Sequence, residues 1–281
     1  MILLVHGQPG SGADWAGVAR ELSVDHRVIA PDRPGWGAHP RQATGLSENA
    51  AALARVIECC SAPTPVTAVG HSLGGGIVLH LALERPDLVG ALVLVGSVGS
   101  SAAVTGIDRL LGIPMVGDGI VAAGSAAMRR GARALRRVPE GWRVGRFARD
   151  AVSLPSLNGL LEVSPGQPVR GRRRTSFVVE QRALLRETPS LESRLCELRV
   201  PVAVVSGESD HVVPPAAARR LAELIPGAEL VMVRRAGHLV AFEQPADVAR
   251  IVRRYARLAS ARSLKGAPQP PASPAASAES P

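Results

Sequence analysis

Aromatic side chains are scarce: three Phe, three Trp and one Tyr in 281 residues. That leaves no stacking platform of the kind on which single-stranded nucleic acids lie. Lysine is nearly missing, since all but one of the 33 basic residues are arginine, the exception being Lys265. Cysteine is limited to Cys59, Cys60 and Cys196. Three thiols cannot build a disulfide framework, so a reducing compartment, the cytoplasm, is expected. No apolar run reaches the length that spans a bilayer, which excludes stable membrane insertion by a helix. There is no internal repeat and no basic leader with a cleavage site, because Met1 runs directly into an apolar segment.

The formal charge of +9 and a pI near 11.0 suggest a polyanion partner. The arginine excess is better explained by the codon bias of a GC-rich gene. A phosphate-binding surface has no reason to exclude lysine, which holds phosphate well as a point charge, and no nucleic-acid recognition motif accompanies the charge. Nucleic acid is therefore not expected as a partner. With 46% hydrophobic and 20% charged residues, the chain is too apolar to be disordered throughout. It is long enough for one large α/β domain with an insertion.

The chain opens on Met1–Val5, a continuous apolar run of the kind found in a strand buried on both faces. A Gly/Pro-rich turn follows, and Asp14 is expected to cap a helix from about Trp15 to Leu22. Further strands are predicted at His26–Ala30, Val66–Val69 and Leu88–Val95. Helices are predicted at Ser47–Cys60, with Ser47 as cap, and at Gly76–Glu84. This alternation argues for a parallel sheet covered on both faces. It stops after Gly96 and returns with a strand at Val200–Ser206, a helix at Pro215–Leu224, a strand at Glu229–Arg234 and a helix at Ala246–Ser260. Residues 1–100 and 195–263 are thus read as one split core, 101–194 as a helical insertion, and 264–281, rich in Pro, Ala and Ser, as a disordered tail.

The strongest chemical signal is Gly70-His71-Ser72-Leu73-Gly74, a G-x-S-x-G sequence placed after a strand and before a helix. An abrupt strand-to-helix turn forces its central residue into a strained conformation and exposes the Ser72 hydroxyl above the carboxyl edge of the sheet. The Leu73 N–H then lies at a helix N-terminus, where it can donate to an oxyanion. A serine hydroxyl needs a base to take its proton. His238, after the last predicted strand, is the candidate, and Asp210, after the preceding strand, is the candidate to orient it. Glu208 and Asp32 are competing carboxylates, Asp32 being read rather as a buttress for a loop. His211 competes with His238. His71 is read as packing or support, and His80 as a core or surface residue.

With these motifs and the His6-Gly7-Gln8-Pro9-Gly10 segment, the sequence resembles the α/β-hydrolase superfamily, in its serine-nucleophile branch with a cap domain, over about residues 1–100 and 196–260. The segments Ala30–Gly37 and Gly237–Pro245 are similar as well. The resemblance implies an α/β-hydrolase fold with a mostly parallel sheet, the triad order Ser72, Asp210, His238, an oxyanion hole of the Gln8 and Leu73 N–H groups, and a cap formed by 101–194. Family members carry two strands before the H-G strand, and there is no room for them here. Either the sheet lacks that edge, or the chain begins downstream of the true start. The implied reaction is acyl transfer through an acyl-enzyme on a small-molecule acyl substrate, with no cofactor and no metal. Ester hydrolysis is the default. Carbon–carbon bond hydrolysis of the meta-cleavage type, haloperoxidase, thioesterase and lactonase chemistry share the triad, and a ligand receptor is the non-enzyme alternative. Dehalogenases and epoxide hydrolases of this fold use Asp at the elbow, which Ser72 argues against. The basic runs Arg129–Arg137 and Arg170–Arg174 are read either as a solvated face or as binders of a carboxylate or phosphate. The sequence leaves the oligomeric state open.

Overall fold

A computed structural model describes residues 1–60, 65–135 and 169–266. Six strands form one sheet: β1 (Ile2–Val5), β2 (Val28–Ile29), β3 (Val66–His71), β4 (Val89–Val95), β5 (Val202–Gly207) and β6 (Glu229–Val233). Their spatial order is β2-β1-β3-β4-β5-β6, and every pairing is parallel. Nine α-helices join them: α1 (Ala16–Leu22), α2 (Leu46–Cys59), α3 (Leu73–Glu84), α4 (Gly106–Gly112), α5 (Val116–Leu135), α6 (Val169–Arg194), α7 (Pro215–Leu224), α8 (Val240–Glu243) and α9 (Pro245–Gly266), counted among the described residues.

The strands are apolar on both faces because helices cover both. Alternate residues divide between two cores. Leu3, Val5, Ala68, Leu92 and Val204 pack toward α2, α3 and α7. Ile2, Leu4, Val69, Val93 and Val205 pack toward α1, α8 and α9. Register lines up the strand ends: Val5 pairs with Gly70, Gly70 with Leu94, and Val95 with Val205. The loops after β1, β3, β4, β5 and β6 therefore leave the same carboxyl edge. Helices α4, α5 and α6 all lie between β4 and β5 in the chain, where the strand pattern of the sequence is interrupted. Arg136 and Arg137, at the end of the basic run Arg129–Arg137, and the tail beyond residue 266 lie outside what the structure describes.

Two expected caps are corrected. Asp14 does not cap α1: it sits inside a short 3₁₀ turn, Gly12–Trp15, and its carboxylate accepts from the Ser11 N–H at 3.0 Å. Ser47 does not cap α2, whose N-cap is Gly45; Ser47 lies in the first turn, where its N–H donates to Glu187 and its hydroxyl to Glu84, each at 3.0 Å. Ser47 found tertiary partners that local sequence does not reveal, whereas Asp14 bonds Ser11, three residues back, in the box that opens the 3₁₀ turn. The last helix also runs to Gly266, three residues into the stretch 264–281 expected to be tail.

Candidate active site

Ser72 follows β3 and precedes α3 with φ 53° and ψ −121°, a region L-residues occupy only under constraint. The constraint is visible. The Ser72 N–H donates to Val95 O at 3.0 Å, and Ser72 O accepts from the N–H groups of Gly75 and Val98 at 3.0 and 3.2 Å. The turn also needs Gly74: a Cβ there would stand 2.3 Å from Val5 O and 2.6 Å from His6 O. The backbone of the β1 loop can approach the elbow because position 74 has no side chain.

His238 follows β6, and its Nδ1 lies 2.9 Å from Asp210 Oδ2. Asp210 is buried at the end of the loop after β5. Its other oxygen accepts from the N–H groups of Val212 and Val213, both at 2.9 Å. Burial alone would push this carboxyl up; the bond and charge of His238 and the two backbone donors outweigh it and hold the group below the usual aspartate range. A carboxylate accepting from Nδ1–H leaves Nε2 of His238 as the basic nitrogen. The competitors fall away on position: Glu208 and His211 are exposed, and Asp32 accepts from the N–H groups of Gly12 and Ala38 at 2.8 and 2.7 Å, the expected loop buttress.

Leu73 follows Ser72 as the first residue of α3, and Gln8 follows Gly7 on the loop after β1. Gly7 is near enough that a Cβ on it would reach 2.9 Å from Ser72 Cβ. No hydrogen bond from the Gln8 N–H or the Leu73 N–H to another group is found among the described residues. His71 packs edge-on to Trp15, and its Nε2–H donates to the His238 carbonyl at 2.9 Å. Burial first, and then the nearby charge of His238, lower its pKa to about 4. His71 is thus a neutral tether on the backbone of His238. His80 is buried on α3, with Nδ1 at 3.4 Å from Glu84.

A buried arginine that the sequence reading passed over holds the β1 loop. Arg33 donates from Nε to His6 O at 2.9 Å and from Nη2 to Gly7 O at 2.9 Å. Its backbone N–H donates to His6 Nε2 at 3.0 Å, while His6 Nδ1–H donates to Gly7 O at 2.8 Å, which requires a neutral ring. Burial, then the Arg33 charge, push the His6 pKa well below its usual value. The counter-ion is Glu180 of α6, paired with Arg33 Nη1 in full burial. A parallel link joins Gln8 Nε2 to Gln181 Oε1 at 2.9 Å, and Gln181 Nε2 to Asp108 Oδ1 of α4 at 2.9 Å. No local signal marks these residues, because Arg33 and Glu180 lie 147 positions apart, Gln8 and Gln181 173, and Gln181 and Asp108 73. Below the loop is a cavity of about 260 Å³, bordered by Gln8, Asp14, Trp15, His71, His238 and Phe242 among others. Among the described residues, no three His, Cys, Asp or Glu side chains gather as a metal site requires, and no described helix is long and apolar enough to cross a membrane.

A parallel sheet with a strained serine after its third strand, and a paired histidine and aspartate on neighbouring loops, defines the class of doubly covered α/β hydrolases. The chain matches the family model of the alpha/beta hydrolase fold over residues 1–245 and belongs to that family. It is 30% identical to the 2-hydroxy-6-oxo-2,4-heptadienoate hydrolase of Pseudomonas putida, over 89% of this chain and 87% of that one. It is 28% identical to the 2-hydroxymuconate semialdehyde hydrolase of a Pseudomonas species, over 89% and 84%. Among solved structures it is similar to a thermophilic esterase from Thermogutta terrifontis, with a TM-score of 0.68, 24% identity, and coverage of 92% of this chain and 89% of that one. The last likeness is one of fold.

Proposed function

We propose that the protein is a serine hydrolase that cleaves a small carboxylic ester or related acyl substrate in the cytoplasm, with no cofactor. The observation that carries this reading is the 2.9 Å contact between His238 Nδ1 and Asp210 Oδ2, on loops that share a sheet edge with the strained Ser72. His238 Nε2 takes the proton of Ser72 Oγ as that oxygen attacks the acyl carbon. Asp210 fixes the tautomer and stabilises the imidazolium. The N–H groups of Gln8 and Leu73 hold the oxyanion, each contributing about 10²–10³ in rate. His238 then protonates the leaving group, and water, deprotonated in turn by His238, releases the acid from Ser72. Helices α4 to α6 form the cap, and its grip on Gln8 and Arg33 ties the cap to the chemistry.

The second reading is hydrolysis of a carbon–carbon bond. It is supported by the names of the two Pseudomonas relatives. Both readings are tested with p-nitrophenyl acetate and butyrate, a 2-hydroxy-6-oxo-dienoate, and a fluorophosphonate probe, on the wild type and Ser72→Ala. Ester turnover and probe labelling that vanish in Ser72→Ala are expected. Equal nitrophenol release by both proteins sinks the serine mechanism and favours a receptor on this fold. Dienoate turnover above every ester replaces the ester by the carbon–carbon bond.

A further inference from the structure

A base is placed only when both its ring and the main chain that carries it are held. For His238, Asp210 holds the ring through Nδ1 at 2.9 Å. That bond fixes the tautomer and the turn of the ring, and leaves the main chain of the loop unspecified. The loop runs from the end of β6 at Val233 to the start of α8 at Val240. Within it, the His238 carbonyl accepts from His71 Nε2–H at 2.9 Å. No second hydrogen bond to the main chain of His238 is found among the described residues. The donor itself is well fixed. His71 is the last residue of β3, in register with Val95 of β4, and stands directly before Ser72. Consecutive Cα atoms are held about 3.8 Å apart by the peptide bond, so the nucleophile and the donor share one strand end as their reference. The His71 ring lies edge-on to Trp15, with centroids 6.4 Å apart, and tilted against the His238 ring at 4.9 Å. Its Nδ1 side faces the main chain of Gly7, where a Cβ would come within 3.2 Å of it. A ring packed on these sides presents its N–H without first having to be ordered. Burial, and then the charge of His238, lower its pKa to about 4. At neutral pH it therefore adds no positive charge against the imidazolium that forms beside it.

We propose that His71 is a positioning residue for the base: its Nε2–H holds the His238 carbonyl, and so keeps His238 Nε2 in reach of Ser72 Oγ. His71 touches no reacting atom and acts only through His238. This role rests on the serine-hydrolase reading for the reaction, and goes beyond it by adding a main-chain anchor to the side-chain anchor that Asp210 provides.

The test separates the bond from the ring. His71→Phe keeps a ring against Trp15 and removes the donor. His71→Leu is a second donor-free variant, and His71→Gln gives up the ring but carries an N–H₂ donor at the end of its side chain. Hydrolysis of p-nitrophenyl butyrate and the rate of fluorophosphonate labelling are measured for each at pH 7.5, beside the wild type and Ser72→Ala. Thermal melts record which variants are folded. In Phe and Leu variants kcat and the labelling rate are expected to fall about tenfold, the worth of one hydrogen bond, with KM moving less than about twofold. His71→Gln should recover most of that loss. Wild-type kcat in a folded donor-free variant overturns the role. So does a Gln variant as slow as the Phe variant, since the ring and not the bond would then matter, and so does a rise in KM with kcat unchanged, which would mean contact with substrate. A wild type that neither hydrolyses the ester nor takes up the probe, like Ser72→Ala, overturns the serine-hydrolase reading itself, and is seen before any variant of His71 is made.

Discussion

Arg33 and Glu180 meet in full burial across 147 positions of sequence, one on the loop after β2 and the other on α6. The guanidinium also donates to the carbonyls of His6 and Gly7, so one side chain fixes the β1 loop to a helix of the insertion. Removing one partner of such a pair leaves a bare buried charge. Glu180→Ala should cost about 3–5 kcal/mol in denaturant unfolding, and Arg33→Met with Glu180→Leu less than the sum of the two single changes. Additive losses would show that the two side chains act independently. Among variants that remain folded, the Arg33 change should lower kcat more than it raises KM, because it releases the carbonyls flanking the proposed oxyanion donor.

Asp210→Asn tests the proposed orientation of His238. An amide can donate where the carboxylate only accepts, so the ring can turn over its tautomer and present a protonated nitrogen toward Ser72. A loss of about 10⁴ in kcat with little change in KM is expected for hydrolysis of a p-nitrophenyl ester. A loss below tenfold would remove Asp210 from the triad.

Gly74→Ala should disrupt the elbow without removing any polar group. Its Cβ would meet the main-chain oxygens of Val5 and His6, at 2.3 and 2.6 Å, and backbone cannot swing aside as a side-chain tip does. The variant should melt well below the wild type and lose fluorophosphonate labelling even at temperatures where circular dichroism reports it folded. Wild-type labelling by Gly74→Ala would show that the β1 loop does not need to sit against the elbow.

Stability should respond to pH at Asp14 in a direction that can be worked out. Burial raises its pKa to about 6 from an ordinary carboxyl value. Between those two values the folded state binds more proton than the unfolded one, so this group lowers stability as pH rises through the interval. The penalty is complete above pH 6 and absent in strong acid. Asp14→Asn should therefore stabilise the protein at pH 7.5 by about 1–3 kcal/mol, the upper figure being the full shift and the lower allowing for partial exposure. Near pH 3.5 the gain should disappear. A stability gain that is the same at both pH values would mean that the carboxyl is not desolvated.

The sheet and the candidate triad were legible because each rests on short-range pattern. Val66–Val69 is an apolar run that can only be buried, and Gly70, Ser72 and Gly74 bracket a turn whose geometry follows from where small residues stand. Asp210 and His238 could be placed because parallel strands deliver their following loops to one edge. What was not legible is long-range and polar. Nothing around Glu180 distinguishes it from the many charged residues of α6, and its role exists only once α6 lies against Arg33. Asp14 was misread as the cap of α1 for a different reason: its carboxyl accepts from Ser11, three residues back, and belongs to the 3₁₀ turn that precedes the helix.

The bond from Gln8 to Gln181, and on to Asp108, limits how freely this molecule can be recombined. Insertions between β4 and β5 look like exchangeable parts, since they leave and re-enter the sheet at neighbouring strands. Here the insertion carries both the counter-ion for Arg33 and the amide that holds the Gln8 side chain. A graft that replaces residues 101–194 with the corresponding segment of a relative would remove those two supports together. Only donors that bring a carboxylate and an amide to positions 180 and 181 should yield a working chimera, so this pair of adjacent residues sets the compatibility rule for shuffling the fold.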